Sequence, residues 1–112
     1  MIQQRLVIDS SPLNYFARSN QLPVLQKLLA GHRCSITSAV EEELLQGAPR
    51  HAQLYQAAAQ PWLAIVNETA LPFLGMFSEY HGRLGGGMRN IGEATTLAYA
   101  EFHGIIAMID DR

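Results

Sequence analysis

Two short apolar runs, one near each end of the chain, are each followed directly by aspartate. Residues 6–8 (Leu-Val-Ile) precede Asp9, and residues 105–109 precede Asp110 and Asp111. Runs of this length and composition are typical of buried strands in a parallel sheet. The carboxyl ends of such strands line the crevice in which open α/β sheets bind ligands. The pattern therefore predicts one acidic pocket rather than scattered surface charge.

Between these two runs, the predicted strands and helices alternate along the chain. Strands are expected at residues 5–9, 33–37, 62–66 and 105–109, and helices at 12–18, 23–30, 38–47, 50–60, 71–80 and 91–103. Ser10 and Ser11 before Pro12 predict a hydroxyl cap with proline at the first helical position. Ser38 with Glu41 three residues later has the form of a capping box. Such an order predicts an α/β fold with a parallel sheet covered by helices.

Length and composition favour a single folded domain. The chain has 112 residues, of which 48% are hydrophobic and 16% are charged, so it can bury one core. Its apolar stretches are far shorter than the ~20 residues that span a bilayer, and no secretory signal is recognisable. The single cysteine, Cys34, excludes an internal disulfide and fits a small buried hydrophobe. We therefore expect a cytoplasmic protein without a membrane partner.

The charge balance argues against simple nucleic-acid binding. Eight Lys and Arg residues stand against ten Asp and Glu residues, which gives a net charge of −2. Proteins that hold nucleic acid through phosphate contacts usually present a basic patch. Divalent cations in an acidic pocket would weaken this objection, because bound ions invert the local charge.

Five carboxylates are candidates for a metal site, although each one has a simpler explanation. Asp9 is equally well explained as a residue that ends a strand or caps a helix. Glu43 borders the apolar face of its helix, and Glu93 lies in the first turn of the last helix, where the helix dipole favours an acid. Taken together, the five carboxylates predict an oxygen-only site for Mg²⁺ or Mn²⁺, formed by Asp9, Glu43, Glu93, Asp110 and Asp111.

The histidines do not compete for this role. His32, His51, His81 and His103 show no paired spacing that is typical of metal ligands. We interpret them as surface or loop residues.

Four segments of the chain carry a resemblance to a known family. They are residues 6–13 (LVIDSSPL), 37–44 (TSAVEEEL, followed by Gly47), 92–98 (GEATTLA) and 109–112 (IDDR). In this order they resemble the PIN-domain family of metal-dependent ribonucleases. The likeness is strongest to the small prokaryotic branch that includes VapC-like toxins of toxin–antitoxin pairs and their uncharacterised relatives.

This resemblance implies a three-layer α/β/α fold around a central parallel sheet of about four strands. It implies one domain over residues 1–112, in which the further C-terminal helix and strand usual in the family would be absent. Asp9 would be the first metal-binding acid, Glu43 the second and Glu93 the third. Asp110 or Asp111 would be the fourth. Ser10 or Ser11 would contact a water or a phosphate.

The implied function is hydrolysis of RNA phosphodiester bonds with one or two Mg²⁺ or Mn²⁺ ions. An antitoxin protein and a second copy of the chain are the implied protein partners. Arg83 and Arg89 flank the glycine-rich segment and are candidates for contacts with the RNA backbone, with Arg89 the stronger. The simpler interpretation of that segment is an ordinary flexible connection.

Two other functions remain open from the sequence. The first is a catalytically inactive PIN-like module that binds a protein or RNA partner. The negative charge and the few basic residues favour this alternative. The second is a phosphoryl-transfer or receiver-like domain, which is disfavoured because Lys27 is the only lysine and no Asp-x-Asp motif is present.

Overall fold

The computed structural model describes residues 2–110, which form four strands, six α-helices and one short 3-10 helix. The strands are β1 (Arg5–Ile8), β2 (Arg33–Thr37), β3 (Leu63–Val66) and β4 (Ile106–Met108). The α-helices are α1 (Ser10–Arg18), α2 (Leu22–Leu28), α3 (Ser38–Gly47), α4 (Gln53–Ala58), α5 (Leu71–Arg83) and α6 (Ile91–His103). The 3-10 helix, Met88–Asn90, lies directly before α6.

The four strands form one parallel sheet in the order β3-β2-β1-β4. Leu6 on β1 pairs with Cys34 on β2 and with Ile106 on β4. The first strand of the chain therefore lies inside the sheet, between the second strand and the last. This arrangement confirms the predicted three-layer α/β/α fold.

Alternate residues of β1 face two separate hydrophobic cores. Leu6 and Ile8 belong to a core shared with residues of α1, α2, α3 and α4, whereas Val7 belongs to a core shared with α5 and α6. All three side chains are buried. Successive residues of a strand point to opposite faces of the sheet. A strand whose two faces are both buried therefore needs a continuous apolar run, and β1 has one.

Helix α1 begins at Ser10, two residues earlier than predicted, whereas α3 begins at Ser38 as predicted. At most one residue separates either helix from the strand before it. Asp9 caps α1, and its carboxylate accepts a hydrogen bond of 2.8 Å from the Ser10 backbone N–H. Thr37 caps α3, and its hydroxyl accepts a hydrogen bond of 3.2 Å from the Val40 N–H. The predicted hydroxyl cap of α1 and the predicted capping box of Ser38 are therefore wrong. Both capping residues have the extended backbone that an N-cap requires.

Hydrogen bonds from Asn90 hold the glycine-rich segment before α6 in a folded-back conformation. Helix α5 continues to Arg83, three residues beyond its predicted end. Gly85, Gly86 and Gly87 have positive φ angles, which other residues rarely adopt. The amide of Asn90 donates hydrogen bonds to the carbonyls of Leu84 (2.7 Å) and Gly86 (2.9 Å). These bonds fold the segment back onto the start of α6.

Within residues 2–110, no helix has the length and hydrophobicity needed to cross a membrane.

Candidate functional site

A cleft of about 770 Å³ opens at the carboxyl ends of the central strands. Four carboxylates from four different elements line it: Asp9 after β1, Glu43 on α3, Glu93 on α6 and Asp110 after β4. The remaining lining residues are Ser10, Ser11, Gln46, Met88, Asn90 and Ile109. We call this feature the acidic cleft.

The order of the strands explains why residues from both ends of the chain meet in the acidic cleft. Strands β1 and β4 are parallel neighbours, and the Asp9 N–H donates a 2.9 Å hydrogen bond to the Met108 carbonyl. Asp9 and Asp110 therefore follow the same edge of the sheet. The acidic pocket predicted from the two strand-end aspartates is present in the structure.

Asp9 has two structural roles at the base of the cleft. Its side chain caps α1, as described above, and only 4% of the residue is exposed. Asp9 is thus both a helix cap and a lining residue of the cleft, so its role as a cap does not exclude the predicted role in the site.

Two small residues determine the orientation of Glu43. The Ser10 hydroxyl donates a hydrogen bond to Glu43 Oε2. Gly92 leaves room for the other oxygen, since a Cβ atom at Gly92 would collide with Glu43 Oε1. The proton of the Ser10 hydroxyl is therefore directed at Glu43 rather than at the open cleft.

A chain of hydroxyl groups connects the first turns of α3 and α6. Thr95 donates a 2.8 Å hydrogen bond to the Gly92 carbonyl, and its oxygen lies 2.9 Å from the Thr37 hydroxyl. Because the Thr95 proton is used in this way, Thr37 must be the donor to Thr95, while it accepts from the Val40 N–H. These hydrogen bonds between hydroxyl groups hold α3, which carries Glu43, against α6, which carries Glu93.

Three candidate residues, Arg83, Arg89 and Asp111, are not among the described residues that line the cleft. Asp111 lies outside the described residues, and so does the side chain of Arg89, although its backbone belongs to the 3-10 helix. Arg83 is exposed, pairs with Glu79 and is not among the lining residues. The contacts predicted for Arg89 and Asp111 stay predictions.

The histidines lie away from the acidic cleft, but our interpretation of them was partly wrong. None of the four is among the residues that line the cleft. His81 and His103 belong to α5 and α6, and all four are half-buried rather than fully exposed. His103 pairs with Glu68 across 3.1 Å, and His81 contacts the Gly87 carbonyl at 2.8 Å. Their roles in the described structure are therefore packing and hydrogen bonding.

Four lining residues of the cleft were not predicted from the sequence: Gln46, Met88, Asn90 and Ile109, of which Ile109 was expected only as a strand residue. Gln46 follows Glu43 by three residues on α3, so helical spacing alone was enough to place it on the same face. Met88 and Asn90 reach the cleft only because the glycine-rich segment is folded back by hydrogen bonds from Asn90. No local sequence pattern indicates that arrangement.

The donors of the cleft suit a hard divalent cation. The four acidic side chains offer carboxylate oxygens, and no histidine or cysteine lines the cleft among the described residues. Mg²⁺ and Mn²⁺ prefer such oxygen ligands. However, no three Asp, Glu, His or Cys side chains of residues 2–110 are set close enough together to hold an ion. The chemistry of the donors fits, and side-chain rotation would be needed to bring them onto one ion.

Comparison with protein-family models matches residues 5–112 to a family described as a PIN domain. The match covers nearly the whole chain and includes all five candidate carboxylates. No curated protein matches the chain. The fold is of a nuclease type, and PIN domains are commonly nucleases, whereas the likeness to the VapC-like branch stays a prediction. The chain belongs to the PIN-domain family.

Proposed function

We propose that the acidic cleft binds Mg²⁺ or Mn²⁺ and that the chain hydrolyses phosphodiester bonds in RNA. The observation that carries this proposal is the convergence of Asp9, Glu43, Glu93 and Asp110 on one cleft of a PIN domain. These four residues would hold the metal, with Asp111 as a further candidate. Ions bound there would lower the pKa of a water molecule and stabilise negative charge on the phosphate.

The residues of the chain itself would orient the metal ligands. Ser10 and Gly92 keep Glu43 in one orientation, and the hydroxyl chain between Thr37 and Thr95 keeps α3 against α6. These contacts would limit the side-chain rotation that is still needed to bring the carboxylates onto one ion. A nucleophilic side chain is not required, which agrees with Ser10 donating to Glu43 and with the burial of Cys34 in β2.

A role as the toxin of a toxin–antitoxin pair is part of this proposal. It rests on the resemblance of the four sequence segments to the VapC-like branch. An antitoxin protein that covers the acidic cleft would then be one partner, and a second copy of the chain another. Exposed apolar side chains, among them Tyr15 and Leu71, are available for such contacts.

The alternative is a catalytically inactive PIN domain that binds a protein or RNA partner. Two observations favour it: the net charge of −2, and the absence within residues 2–110 of three ligands preset for one ion. Metal binding together with RNA cleavage separates the two functions.

The test is a titration of Mn²⁺ into the wild type and Asp9→Asn, followed by incubation of both with structured RNA. Asparagine is as good a helix cap as aspartate, so α1 should stay intact while a charged ligand is lost. We expect calorimetry to show metal binding that weakens by more than about tenfold in Asp9→Asn, together with loss of RNA cleavage. Glu42→Gln, which alters an exposed carboxylate on the same helix as Glu43, is the matched control and should behave like the wild type.

Each other outcome points to one of the alternatives. Metal binding without cleavage of any RNA would favour the inactive module. If calorimetry shows no heat of binding at millimolar Mn²⁺, the proposed metal-dependent activity is wrong.

A further inference from the structure

A second groove continues from the acidic cleft along α1. Its volume is about 680 Å³, and it shares Ser10, Ser11, Glu43 and Asp110 with the acidic cleft. Its other lining residues, which belong to α1 and its C-cap, are Asn14, Tyr15, Arg18 and Ser19. We call this second feature the α1 groove. Anything that lies in it is in direct continuity with the carboxylates.

The lining residues of the α1 groove form one stripe along the helix. Ser11, Tyr15 and Arg18 are separated by four and three residues, the spacing that places side chains on one helical face. At 1.5 Å per residue, the stripe extends about 10 Å from Ser11 to Arg18. An extended chain lying along it would begin at the acidic cleft and end at a positive charge.

Tyr15 presents an aromatic ring at the middle of the stripe. The residue is 68% exposed, so the face of its ring is accessible from the groove. Its ring is supported by an edge-to-face contact with Phe16, with centroids 5.5 Å apart at an interplanar angle of 86°. Phe16 in turn packs against the hydrophobic core of α1 to α4. The ring is therefore exposed and also held in place.

Arg18 provides the positive charge of the α1 groove. It is exposed, and it is the only Lys or Arg among the described side chains that lines either the acidic cleft or the α1 groove. Within the described part of the chain it makes no ion pair, unlike Arg83, which is paired with Glu79. Its guanidinium is therefore available to an anion.

We propose that the α1 groove binds a single-stranded segment of the RNA next to the bond that is cleaved. A base stacks on Tyr15, and Arg18 contacts a backbone phosphate. An exposed aromatic ring beside a cationic side chain is the combination with which proteins hold single-stranded nucleic acid. This inference rests on the proposed ribonuclease function, and it adds the place where the RNA lies beside the acidic cleft and two residues that bind it there.

The experiment measures binding of a short fluorescent single-stranded RNA by anisotropy at several salt concentrations. All proteins carry Asp9→Asn, which stops the proposed cleavage and retains the helix cap. Adding Tyr15→Leu should weaken binding by about tenfold, because base stacking is lost, and should leave the salt dependence unchanged. Adding Arg18→Gln should weaken binding and also reduce the slope of log K against log salt by about 0.7, the value for one phosphate contact on a single strand.

Matched controls use the same residue types outside both clefts. Tyr55→Leu removes a tyrosine on α4 that is 54% exposed, and Arg50→Gln removes an exposed arginine between α3 and α4. Both should bind RNA like the parent. Tyr15→Phe should also retain binding, because it keeps the ring.

The possible outcomes separate this inference from the proposed function. Unchanged RNA affinity in Tyr15→Leu and Arg18→Gln would overturn the inference, even if the wild type cleaves RNA. Unchanged affinity with an altered sedimentation coefficient in Tyr15→Leu would instead make the groove a contact between two copies of the chain. If the two variants lose RNA affinity as expected but the wild type cleaves no RNA, the α1 groove is a binding site and the proposed catalytic activity is wrong.

Discussion

At the scale of single residues, the position of Glu43 depends on two small neighbours. Ser10 donates a hydrogen bond to one carboxylate oxygen, and Gly92 leaves space for the other. Crowding the Glu43 carboxylate should lower the affinity for metal and leave the free energy of unfolding nearly unchanged. The reason is that Glu43 can rotate away from an obstacle, because its oxygens are at the end of a flexible side chain.

We therefore predict that Gly92→Ala impairs the acidic cleft and leaves the fold intact. The new Cβ would displace Glu43 Oε1. Alanine favours a helix by about 0.5–1 kcal/mol relative to glycine, which should offset most of the cost of moving Glu43. We expect Mn²⁺ affinity measured by calorimetry to fall by more than about tenfold, with a change of less than about 1 kcal/mol in the free energy of unfolding.

Gly75→Ala is the matched control for this variant. Gly75 lies in α5, is exposed, and has no atom within 4 Å of the position that a Cβ would take. Its replacement should raise the free energy of unfolding by about 0.4–1 kcal/mol without any effect on Mn²⁺. Unaltered metal affinity in Gly92→Ala would mean that Glu43 is not a ligand.

Most of the candidate carboxylates could be predicted from the sequence, but their supporting contacts could not. Asp9 and Asp110 were found because both follow apolar runs. The contact between Ser10 and Glu43 joins residues 33 positions apart, and nothing in the local pattern of either segment specifies it. The interpretation of Asp9 as either a cap or a site residue was too narrow, because one carboxylate can satisfy an N–H and still line a cleft.

At the scale of elements, a polar joint connects the segment before α5 to the end of α6. The Glu68 carboxylate accepts hydrogen bonds of 3.1 Å from the backbone N–H groups of Thr69 and Ala70. Its other oxygen lies 3.1 Å from His103 Nε2. The Ala70 N–H, followed by the Thr69 N–H and His103, lowers the pKa of Glu68, and partial burial opposes the shift.

This joint predicts a loss of stability in acid. Because the pKa of Glu68 is lower in the folded state, its contribution is complete above the usual glutamate value of 4.5 and disappears as pH falls through the lowered pKa. Glu68→Gln should therefore melt at a lower temperature than the wild type near neutral pH, and the difference should shrink below about pH 4. Thermal melts followed by circular dichroism across this range provide the measurement.

Glu42→Gln, at an exposed position on α3, is the control with the same change of charge. A constant difference in melting temperature between Glu68→Gln and the wild type at all pH values would show that the joint acts through packing instead of charge.

The order and type of the elements could be predicted, whereas their boundaries could not. Strands were expected at residues 5–9, 33–37, 62–66 and 105–109, and all four are present. Helix α5 runs past its predicted end at Tyr80 because Gly82 continues the helix there instead of ending it. Helix α4 is shorter than predicted at both ends, Gln53–Ala58, since turns take up the residues on either side. A sequence pattern identifies where a helix is favoured, but packing decides where it stops.

At the scale of the whole molecule, Cys34 provides a single reporter of global unfolding. It lies on β2, which is flanked by β1 and β3, and only 6% of the residue is exposed. Burial raises the pKa of the Cys34 thiol above its usual value. Both effects suppress the thiolate that reacts with alkylating reagents.

We predict that iodoacetamide modifies Cys34 slowly in the native protein and rapidly after unfolding by urea. The rate should increase with urea in parallel with the loss of circular dichroism, because a central strand opens only with the whole fold. The variant Cys34→Ala with Gln26→Cys moves the thiol to an exposed position on α2 and should react fast under all conditions. Fast labelling of native Cys34 would show that β2 opens locally.

The pairing of β1 with β4 has a consequence for the order in which the protein is synthesised. Leu6 pairs with Ile106, so the two strands that lead into the acidic cleft are separated by a hundred residues. A nascent chain has made β1, β2 and β3 long before β4 leaves the ribosome, and until then Asp9 has no neighbouring strand on that side. The proposed ribonuclease would thus acquire its active cleft only after β4 has emerged.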